Sequence, residues 1–470
     1  MSNQIHDVIV IGSGPGGYVA AIRAGQLGLK ALCVEKEDIG GVCLNWGCIP
    51  SKALIAASGL VEKIRKASTM GISVSGLAVD LVKMQEWKNG IVKRLTGGIS
   101  ALVKGSGGEI RKGTARVVSA HAVEITRPTG EKELHEARRG IIVATGAEVV
   151  HLPGVPVDGE VIITAKEAVS LTEAAGTMVV IGGGVIGMEL GMVYQRLGMK
   201  VIVVEIAEQI LGSVDADLAK VVEKAFTKGG GELLLRHKVR EAKREGNRAR
   251  VIIEDPEGRV REVMAERVLV AVGFRPASKG IGLEELGVRL DAKGHIIVND
   301  RMETNVSGIY AIGDVVGGGY LAHKASKEGE IAAEVIAGHK SARDWRAMPA
   351  AIFTEPEIAT VGLSEREAQA QGRKVRIGKF PFSASGRAMA VGQTEGFVKT
   401  VVDADTHEVL GVGIVGPEAS DLISEATLAI EMCAHAEDVA LTVHPHPTLG
   451  EAVMESFKHA LGEAIHIANR

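Results

Sequence analysis

Long hydrophobic runs are absent from this 470-residue chain. No stretch reaches the roughly 18 apolar residues that a membrane-spanning helix needs. No signal-type segment precedes the strand-like residues 8–11 either. We therefore predict a cytoplasmic protein without a membrane span, although the mature form of a mitochondrial or plastid protein would look the same.

Cysteine is also scarce, and the chain holds only four: Cys33, Cys43, Cys48 and Cys433. This number and scatter exclude the disulfide framework of a small secreted protein. In a reducing compartment, a closely spaced pair is more often redox-active or metal-binding than structural. The pair that qualifies is Cys43 and Cys48.

Neither charge nor aromatic content indicates a nucleic-acid partner. The 54 basic and 58 acidic residues leave a net charge of −4, so no global field attracts a polyanion. Aromatic residues make up 3% of the chain, which argues against surfaces that stack on bases. The length predicts about three or four domains, and the 60 glycines suit an α/β protein with many tight turns.

An internal repeat organises the chain. Residues 7–37 read DVIVIGSGPGGYVAAIRAGQLGLKALCVEKE, and residues 177–207, displaced by 170 positions, read TMVVIGGGVIGMELGMVYQRLGMKVIVVEIA. Each copy runs from an apolar strand-like segment through a glycine turn and a helical segment to a second strand that ends in glutamate. The shared positions are Gly12, Gly14, Gly17 and Glu35 in the first copy, and Gly182, Gly184, Gly187 and Glu205 in the second.

The β-α-β context turns the repeated glycines into two dinucleotide-binding fingerprints. The first glycine of each permits a tight turn, the second lets the backbone approach a pyrophosphate, and the third lets helix pack on strand. The amides at the helix N-terminus face the phosphate charge. The glutamate, 23 residues after the first glycine in both copies, is placed to bond ribose hydroxyls.

Two further strand-like segments define the domain organisation. Residues 141–146 (IIVATG) predict a buried strand before a linker near Pro153, and residues 309–314 (IYAIGD) predict another outside the second copy. We therefore expect a second dinucleotide-binding domain inserted into the first. The expected domains are residues 1–150, 151–276, a central segment 277–348 that completes the first domain, and an α+β domain over 349–470.

The segment at residues 40–54, GGVCLNWGCIPSKAL, carries the cysteine pair. We expect Cys43 and Cys48 at or near a helix N-terminus, where the dipole and free amides stabilise thiolate. The pair can close a small-loop disulfide. A zinc half-site is an alternative, although no second CxxC or nearby histidine pair supports it and we expect no metal. A pair of buried structural thiols is another.

These features together are similar to the pyridine nucleotide-disulfide oxidoreductase family. The resemblance rests on GGVCLNWGCIPSK, both fingerprints, the ATG and GD turns and the C-terminal HPTLGEA, and it spans residues 7–455. It implies FAD in the first domain, NAD in the second, and a C-terminal interface domain that makes a homodimer. It also implies oxidation of protein-bound dihydrolipoyl groups with reduction of NAD+. The partners would then be a lipoyl domain and the acyltransferase core of a 2-oxo acid dehydrogenase complex, or a glycine cleavage complex.

The resemblance also implies a role for individual residues. Cys48 would lie against the flavin as the charge-transfer thiol, and Cys43 would exchange with substrate. Lys52 would approach the flavin and pair with Glu189, whereas His446, oriented by Glu451, would serve the cysteine pair of the other subunit. The FAD site would comprise Gly12, Gly14, Gly17, Glu35, Lys52, Thr145, Gly146, Asp314 and Ala322, and the NAD site Gly182, Gly184, Gly187, Glu205 and Gly273.

Other members of the family, and other classes, remain alternatives. Glu205 favours NAD over NADP, because a carboxylate repels a 2′-phosphate, and this weighs against a glutathione reductase. The C-terminal tail lacks the extra cysteines of mercuric and large thioredoxin reductases. A docking component without activity and a flavin oxidase that needs no cysteines are the other possibilities.

Four positions depart from the family's pattern, and one of them, Pro445, stiffens the approach to His446. Trp46 stands between the two cysteines where a smaller apolar residue is usual, and Phe274 and Ala277 replace an arginine and an asparagine. We expect Trp46 to alter access or packing at the disulfide.

Overall fold

The structure is a computed structural model that describes residues 4–469. The elements up to residue 163 are β1 (Gln4–Ile11), α1 (Pro15–Gln26), β2 (Ala31–Glu35), α2 (Gly41–Asn45), α3 (Cys48–Lys66), α4 (Leu81–Gly105), β3 (Glu109–Lys112), β4 (Thr114–Ser119), β5 (Ala122–Thr126), β6 (Lys132–Val143), β7 (Ala147–Val149) and β8 (Ile162–Ile163). Those up to residue 337 are α5 (Ala165–Ala168), β9 (Thr177–Ile181), α6 (Val185–Arg196), β10 (Lys200–Glu205), α7 (Ala216–Lys228), β11 (Glu232–Leu235), β12 (Lys238–Glu245), β13 (Arg248–Glu254), β14 (Val260–Ala265), β15 (Arg267–Val270), β16 (Phe274–Pro276), β17 (Ile309–Ala311) and α8 (Ala322–Ala337). The remainder are β18 (Ala350–Ile352), β19 (Glu357–Gly362), α9 (Glu365–Ala370), β20 (Val375–Pro381), α10 (Gly386–Ala390), β21 (Phe397–Asp403), β22 (Val409–Gly416), α11 (Ala419–Glu431), α12 (Ala436–Leu441) and α13 (Glu451–Leu461).

The described chain forms two compact units, each built from separate stretches of sequence. The first unit comprises the described residues up to 54, Asp80–Val150 and Gly273–Asp344. The second comprises Ile55–Val79, His151–Val272 and the described residues from 345 onward. The first unit is therefore interrupted by the second repeat, as an inserted domain requires.

A mostly parallel sheet forms the centre of the first unit. Its parallel strands lie in the order β3-β2-β1-β6, with β17 beside the C-terminal half of β6. The N-terminal half of β6 continues into the antiparallel strands β5 and β4. Ile9, Leu32 and Ile141 on neighbouring strands are fully buried, which is typical of a parallel sheet covered on both faces.

The second unit contains another parallel sheet, with the order β11-β10-β9-β15-β8. Its core includes Val179, Ile202 and Val268, none exposed by more than 1%. Strands β12, β13 and β14 form a separate antiparallel meander. The β9-α6-β10 segment therefore repeats the β1-α1-β2 segment of the first unit.

The C-terminal part of the second unit is an antiparallel sheet, β18-β19-β22-β21-β20, packed against helices. Helix α13 packs on β20 and β21, and α11 packs on β19 and β22. Phe382 and Phe457 are fully buried between these layers. The predicted fold class is confirmed: two dinucleotide-binding βαβ folds, the second inserted in the first, and a C-terminal α+β domain.

Within residues 4–469, no helix is long and apolar enough to cross a membrane.

Candidate active site

The first glycine fingerprint leaves open space at the N-terminus of α1. At Gly12 the backbone turns with φ +103°, and an added Cβ would lie 2.3 Å from the Ala144 carbonyl oxygen. A Cβ on Gly17 would lie 1.9 Å from the oxygen of Gly12. By contrast, a Cβ on Gly14, the N-cap of α1, would meet nothing within 4 Å. Gly12 and Gly17, where a side chain would clash, therefore shape the turn, and Gly14 leaves room for a pyrophosphate beside the amides of the helix N-terminus.

The second fingerprint has the same geometry at the N-terminus of α6. Gly182 has φ +106°, and its Cβ would lie 2.4 Å from the Ala271 carbonyl oxygen. A Cβ on Gly187 would lie 2.0 Å from the oxygen of Gly182, whereas one on Gly184, the N-cap of α6, would meet nothing within 4 Å. Both fingerprints thus fit a dinucleotide.

The glutamate that ends each repeat holds its own glycine turn. Glu35 Oε2 accepts hydrogen bonds from the Ser13 amide at 2.8 Å and the Ser13 hydroxyl at 2.7 Å, and Oε1 accepts from the Glu37 amide at 2.7 Å. Glu205 accepts from the Gly183 amide at 2.6 Å and the Ala207 amide at 2.7 Å. Each ionised carboxylate has about four lone-pair sites, so capacity remains for ribose. Bonding of either carboxylate to ribose stays a prediction.

The remaining residues of the predicted FAD site lie in the first unit where strands β6 and β17 end. The Thr145 hydroxyl donates to the Ala277 carbonyl at 2.7 Å, and Gly146 follows with φ +69°. Asp314 lies in the 3-10 helix Gly313–Val316, and Ala322 is the first residue of α8. Burial raises the pKa of Asp314 to about 6, with Lys324 opposing and Glu328 adding to the rise.

A buried ion pair supports the Asp314 turn and had no sequence signal. Lys324 Nζ lies 2.9 Å from the carboxylate of Glu328, and the two side chains are 3% and 0% exposed. Glu328 also accepts the Gly313 amide at 2.8 Å. The pair joins the first turn of α8 to the residue before Asp314, so it fixes the position of that carboxylate.

The structure brings the two predicted redox cysteines together. Cys43 lies in α2, Cys48 opens α3, and both are in the thiol form. A hydrogen bond with Cys48 and burial raise the pKa of Cys43, whereas the nearby Lys52 ammonium lowers it. Contact with a second thiol and burial therefore oppose a thiolate at Cys43 in the dithiol state, and stabilisation of a thiolate by this pair stays a prediction.

Tyr18 is a neighbour of the dithiol that the sequence did not reveal. Its pKa is raised by burial and by the charges of both Cys43 and Cys48. Cys33, by contrast, is fully buried in β2, and burial raises its pKa as well. Cys33 therefore lies in the core of the first sheet, away from solvent.

The predicted partner of Lys52, Glu189, is a buried residue of α6. Its side chain is 3% exposed, and Oε1 accepts the Phe353 amide at 2.8 Å. This bond holds Glu189 against the segment before β19. The pairing of Lys52 with Glu189 stays a prediction.

His446 and Glu451 form the predicted hydrogen-bonded pair. His446 Nδ1 lies 2.9 Å from Glu451 Oε1, and Glu451 Oε2 accepts the Thr448 amide at 2.8 Å. Burial alone would raise the pKa of Glu451, but the Thr448 and His446 hydrogen bonds lower it. Because an ionised carboxylate only accepts, His446 carries hydrogen on Nδ1 and donates it to Glu451. Its side chain is 79% exposed.

The last predicted site residue, Gly273, follows β15 with φ +109°, and an added Cβ would meet nothing within 4 Å. Its role in NAD binding stays a prediction. In the part of the chain that the structure describes, no three His, Cys, Asp or Glu side chains are grouped to hold a metal ion.

Comparison with protein families matches residues 6–329 to pyridine nucleotide-disulphide oxidoreductase and residues 348–457 to the dimerisation domain of that family. The chain belongs to the pyridine nucleotide-disulphide oxidoreductase family. Its members' FAD and NAD cofactors agree with the two fingerprints, and the dimerisation domain supports a homodimer.

Relatives of this oxidoreductase cover nearly its whole length. It is 45% identical to dihydrolipoyl dehydrogenase of Geobacillus stearothermophilus over 99% of this chain and 98% of the relative. It is also 45% identical to dihydrolipoyl dehydrogenase of Thermus scotoductus over 99% of this chain and 100% of the relative. The crystal structure of LpdA from Mycobacterium tuberculosis matches with a TM-score of 0.90 at 29% identity, covering 97% of this chain and 99% of that one.

Proposed function

We propose that this oxidoreductase catalyses the reaction named for its full-length relatives, the oxidation of a dihydrolipoyl group to lipoyl with reduction of NAD+ to NADH. The observation that carries the proposal is the contact between the Cys43 and Cys48 thiols, directly after the first dinucleotide fingerprint. Two thiols in contact can close to a disulfide and accept two electrons from a dithiol substrate. When bound, FAD supplies the two-electron carrier between this pair and NAD+.

The exchange begins from the Cys43–Cys48 disulfide. One dihydrolipoyl thiol gives its proton to His446 Nε2 and attacks Cys43 Sγ, and Cys48 leaves as a thiolate. The second substrate thiol then loses its proton to solvent and attacks, as a thiolate, the substrate sulfur of the mixed disulfide, which releases lipoyl and the thiolate sulfur of Cys43. Protonated His446 returns its proton to that sulfur. The substrate loses two electrons and the cysteine pair gains them.

The surroundings of His446 support its action on a second subunit. Leu441 and Val443 are 82% and 93% exposed apolar side chains just before it, and they lie in the matched dimerisation domain. Exposed apolar residues at such density mark a contact surface. We place the His446 of one chain at the cysteine pair of its partner, so that activity requires the dimer.

Glu205 supports the choice of NAD+. Its carboxylate sits at the end of β10 beside the second glycine turn, where it would bond a 2′-hydroxyl and repel a 2′-phosphate. We further propose lipoyl domains and the acyltransferase core of a 2-oxo acid dehydrogenase complex, or a glycine cleavage complex, as partners, and the cytoplasm as location. Domain boundaries at residues 150, 276 and 348 belong to the same proposal.

The decisive experiment measures the initial rate of NAD+ reduction by dihydrolipoamide with the purified, FAD-loaded protein. NADP+ and reduced glutathione serve as controls in otherwise identical reactions. We expect NADH formation only with dihydrolipoamide and NAD+. A folded, yellow dimer that is inactive in this assay, or prefers NADP+, contradicts the proposal.

The role of His446 has its own test in His446→Gln. We expect kcat with dihydrolipoamide to fall roughly 10²- to 10⁴-fold, the usual contribution of a general base. Reduction of an artificial electron acceptor by NADH needs no proton at His446 and should be unchanged. His444→Gln is the matched control, because His444 is held by Glu425 at 2.8 Å. Equal losses in the two variants contradict the assignment.

A further inference from the structure

Two of the residues at which the sequence departs from its family's pattern are in contact. The rings of Trp46 and Phe274 stack with centroids 6.4 Å apart and an interplanar angle of 25°. That separation lies within the range in which aromatic pairs attract beyond simple burial. The two residues are 228 positions apart in sequence, so the stack is a tertiary contact.

One ring of the stack, Trp46, belongs to the dithiol segment, residues 40–54, which carries Cys43 and Cys48. Trp46 ends α2 between the cysteines, and its amide donates to the Val42 carbonyl at 3.0 Å. Gly47, the next residue, is tightly packed, since an added Cβ would lie 2.9 Å from the Val42 oxygen and 3.2 Å from Cys43 Cα. A shift of the Trp46 ring would therefore be transmitted to the backbone between the two sulfurs.

The other side of the stack is anchored in a two-stranded ribbon. Phe274 in β16 pairs with Val149 in β7 in antiparallel register. The ribbon is closed by the Ala277 amide, which donates to the Gly146 carbonyl at 3.0 Å, and by the hydrogen bond from Thr145 to Ala277. Phe274 is thus held on backbone that does not belong to the dithiol segment.

We propose that the Trp46–Phe274 stack is a positioning device that holds Cys43 and Cys48 close enough to close, and so stabilises their disulfide against the dithiol. The inference rests on the redox role of the pair proposed above. Closing the disulfide removes two electrons and two protons from the cysteines, and these convert one external disulfide into two thiols. Without the stack, the open dithiol gains conformational freedom that closure must remove.

The expected effect of breaking the stack is modest and measurable. A stacked aromatic pair contributes on the order of a threefold to tenfold change in an equilibrium constant. For a two-electron couple, tenfold corresponds to about 30 mV. We therefore expect the midpoint reduction potential of the Cys43/Cys48 couple to become less negative by up to about 30 mV when either ring is removed.

The test equilibrates the FAD-loaded enzyme with mixtures of dihydrolipoate and lipoate, quenches in acid and labels free thiols. Trypsin then releases residues 37–52, which contain Cys43 and Cys48 but neither Cys33 nor Cys433, so mass spectrometry reports this pair alone. Variants are Trp46→Leu, Phe274→Leu, their combination, and Trp46→Phe, which keeps a ring. Arg275→Ala is the control, because it breaks the ion pair between Arg275, the neighbour of Phe274 in β16, and Glu148 in β7 and leaves the stack.

We expect equal shifts in Trp46→Leu and Phe274→Leu, no further shift in the double variant, and wild-type midpoints in Trp46→Phe and Arg275→Ala. Unshifted midpoints in folded Leu variants, or additive shifts, overturn the inference. If Trp46→Leu does not fold, Phe274→Leu and Trp46→Phe still decide it. Failure of the proposed function looks different, because residues 37–52 of the wild type would then remain labelled in every mixture.

Discussion

The two dinucleotide-binding repeats have nearly the same backbone but are held by different chemistry. In the first, Ser13 follows Gly12, and its buried hydroxyl bonds Glu35 at 2.7 Å and accepts the Gly40 amide at 3.2 Å. In the second, the equivalent residue is Gly183, which offers Glu205 only its amide. Gly40 begins the segment that carries Cys43 and Cys48, and its amide also donates to the Ser13 carbonyl at 3.1 Å, so backbone and hydroxyl together tie the first fingerprint to that segment. The two copies therefore share a backbone framework, and only the first uses a serine hydroxyl to bond the segment with the cysteine pair.

We expect the largest loss of activity from a substitution in the segment with Cys43 and Cys48, which follows the first repeat and has no counterpart after the second. In Cys43→Ser, we expect NAD+ reduction by dihydrolipoamide to fall by roughly 10⁴-fold or more, as for loss of other covalent nucleophiles. Cys433→Ser, at an exposed cysteine, is the control and should be fully active. Activity retained in Cys43→Ser would favour a flavin oxidase that does not use the pair.

The next effect separates the two nucleotides. Gly14→Ala and Gly184→Ala each place a methyl group in open space, so both apo proteins should keep wild-type thermal stability. Gly14→Ala should weaken FAD binding, and Gly184→Ala should raise KM for NAD+ while the protein stays yellow. Both changes should be roughly tenfold to a hundredfold, or about 1.4–2.8 kcal/mol. Fluorescence titration with FAD and steady-state kinetics measure them. Equal loss of FAD from both variants would contradict the assignment of FAD to the first fingerprint and NAD to the second.

A smaller effect, on the free energy of unfolding, tests the difference between Ser13 in the first repeat and Gly183 in the second. Ser13→Ala removes one hydrogen bond to a carboxylate and should lower the free energy of unfolding by about 1.5–3 kcal/mol. Gly183→Ser should also destabilise, by about 1–3 kcal/mol, for the opposite reason. Its Cβ would lie 2.9 Å from Ile210 Cγ2. Chemical denaturation of the apo proteins measures both, and an unchanged Ser13→Ala protein contradicts the role of the hydroxyl.

The smallest expected effect is on how the free energy of unfolding depends on pH. His6 in β1 is 2% exposed, and burial, followed by the charges of Lys30 and His135, lowers its pKa to about 4 from the usual 6.5. The unfolded chain therefore takes up the proton first as pH falls below about 6.5, and stability falls until about pH 4. His6→Phe should reduce this loss by about 1–3 kcal/mol. The second repeat has Gly176 at the equivalent position, so it carries no such buried histidine there. Denaturation midpoints at pH 7 and 4.5 measure the loss in the wild type and in His6→Phe.

The sequence alone determined the repeat and the strand-turn-helix order. A turn with positive φ requires glycine, and a strand buried on both faces requires apolar residues. Both requirements concern a few consecutive residues, so they can be recognised in a short stretch of sequence. The cysteine pair was also readable from its spacing, whereas His446 and Glu451 were singled out by the resemblance of the HPTLGEA segment to the family.

Contacts between distant residues were decided by the tertiary structure alone. The Trp46–Phe274 stack, the tie from Ser13 to Gly40 and the approach of Tyr18 to the dithiol leave no periodicity in the sequence. The raised pKa of Cys43 was missed for the same reason. Burial and a neighbouring thiol depend on how the chain packs, whereas a helix N-terminus can be predicted from a short segment.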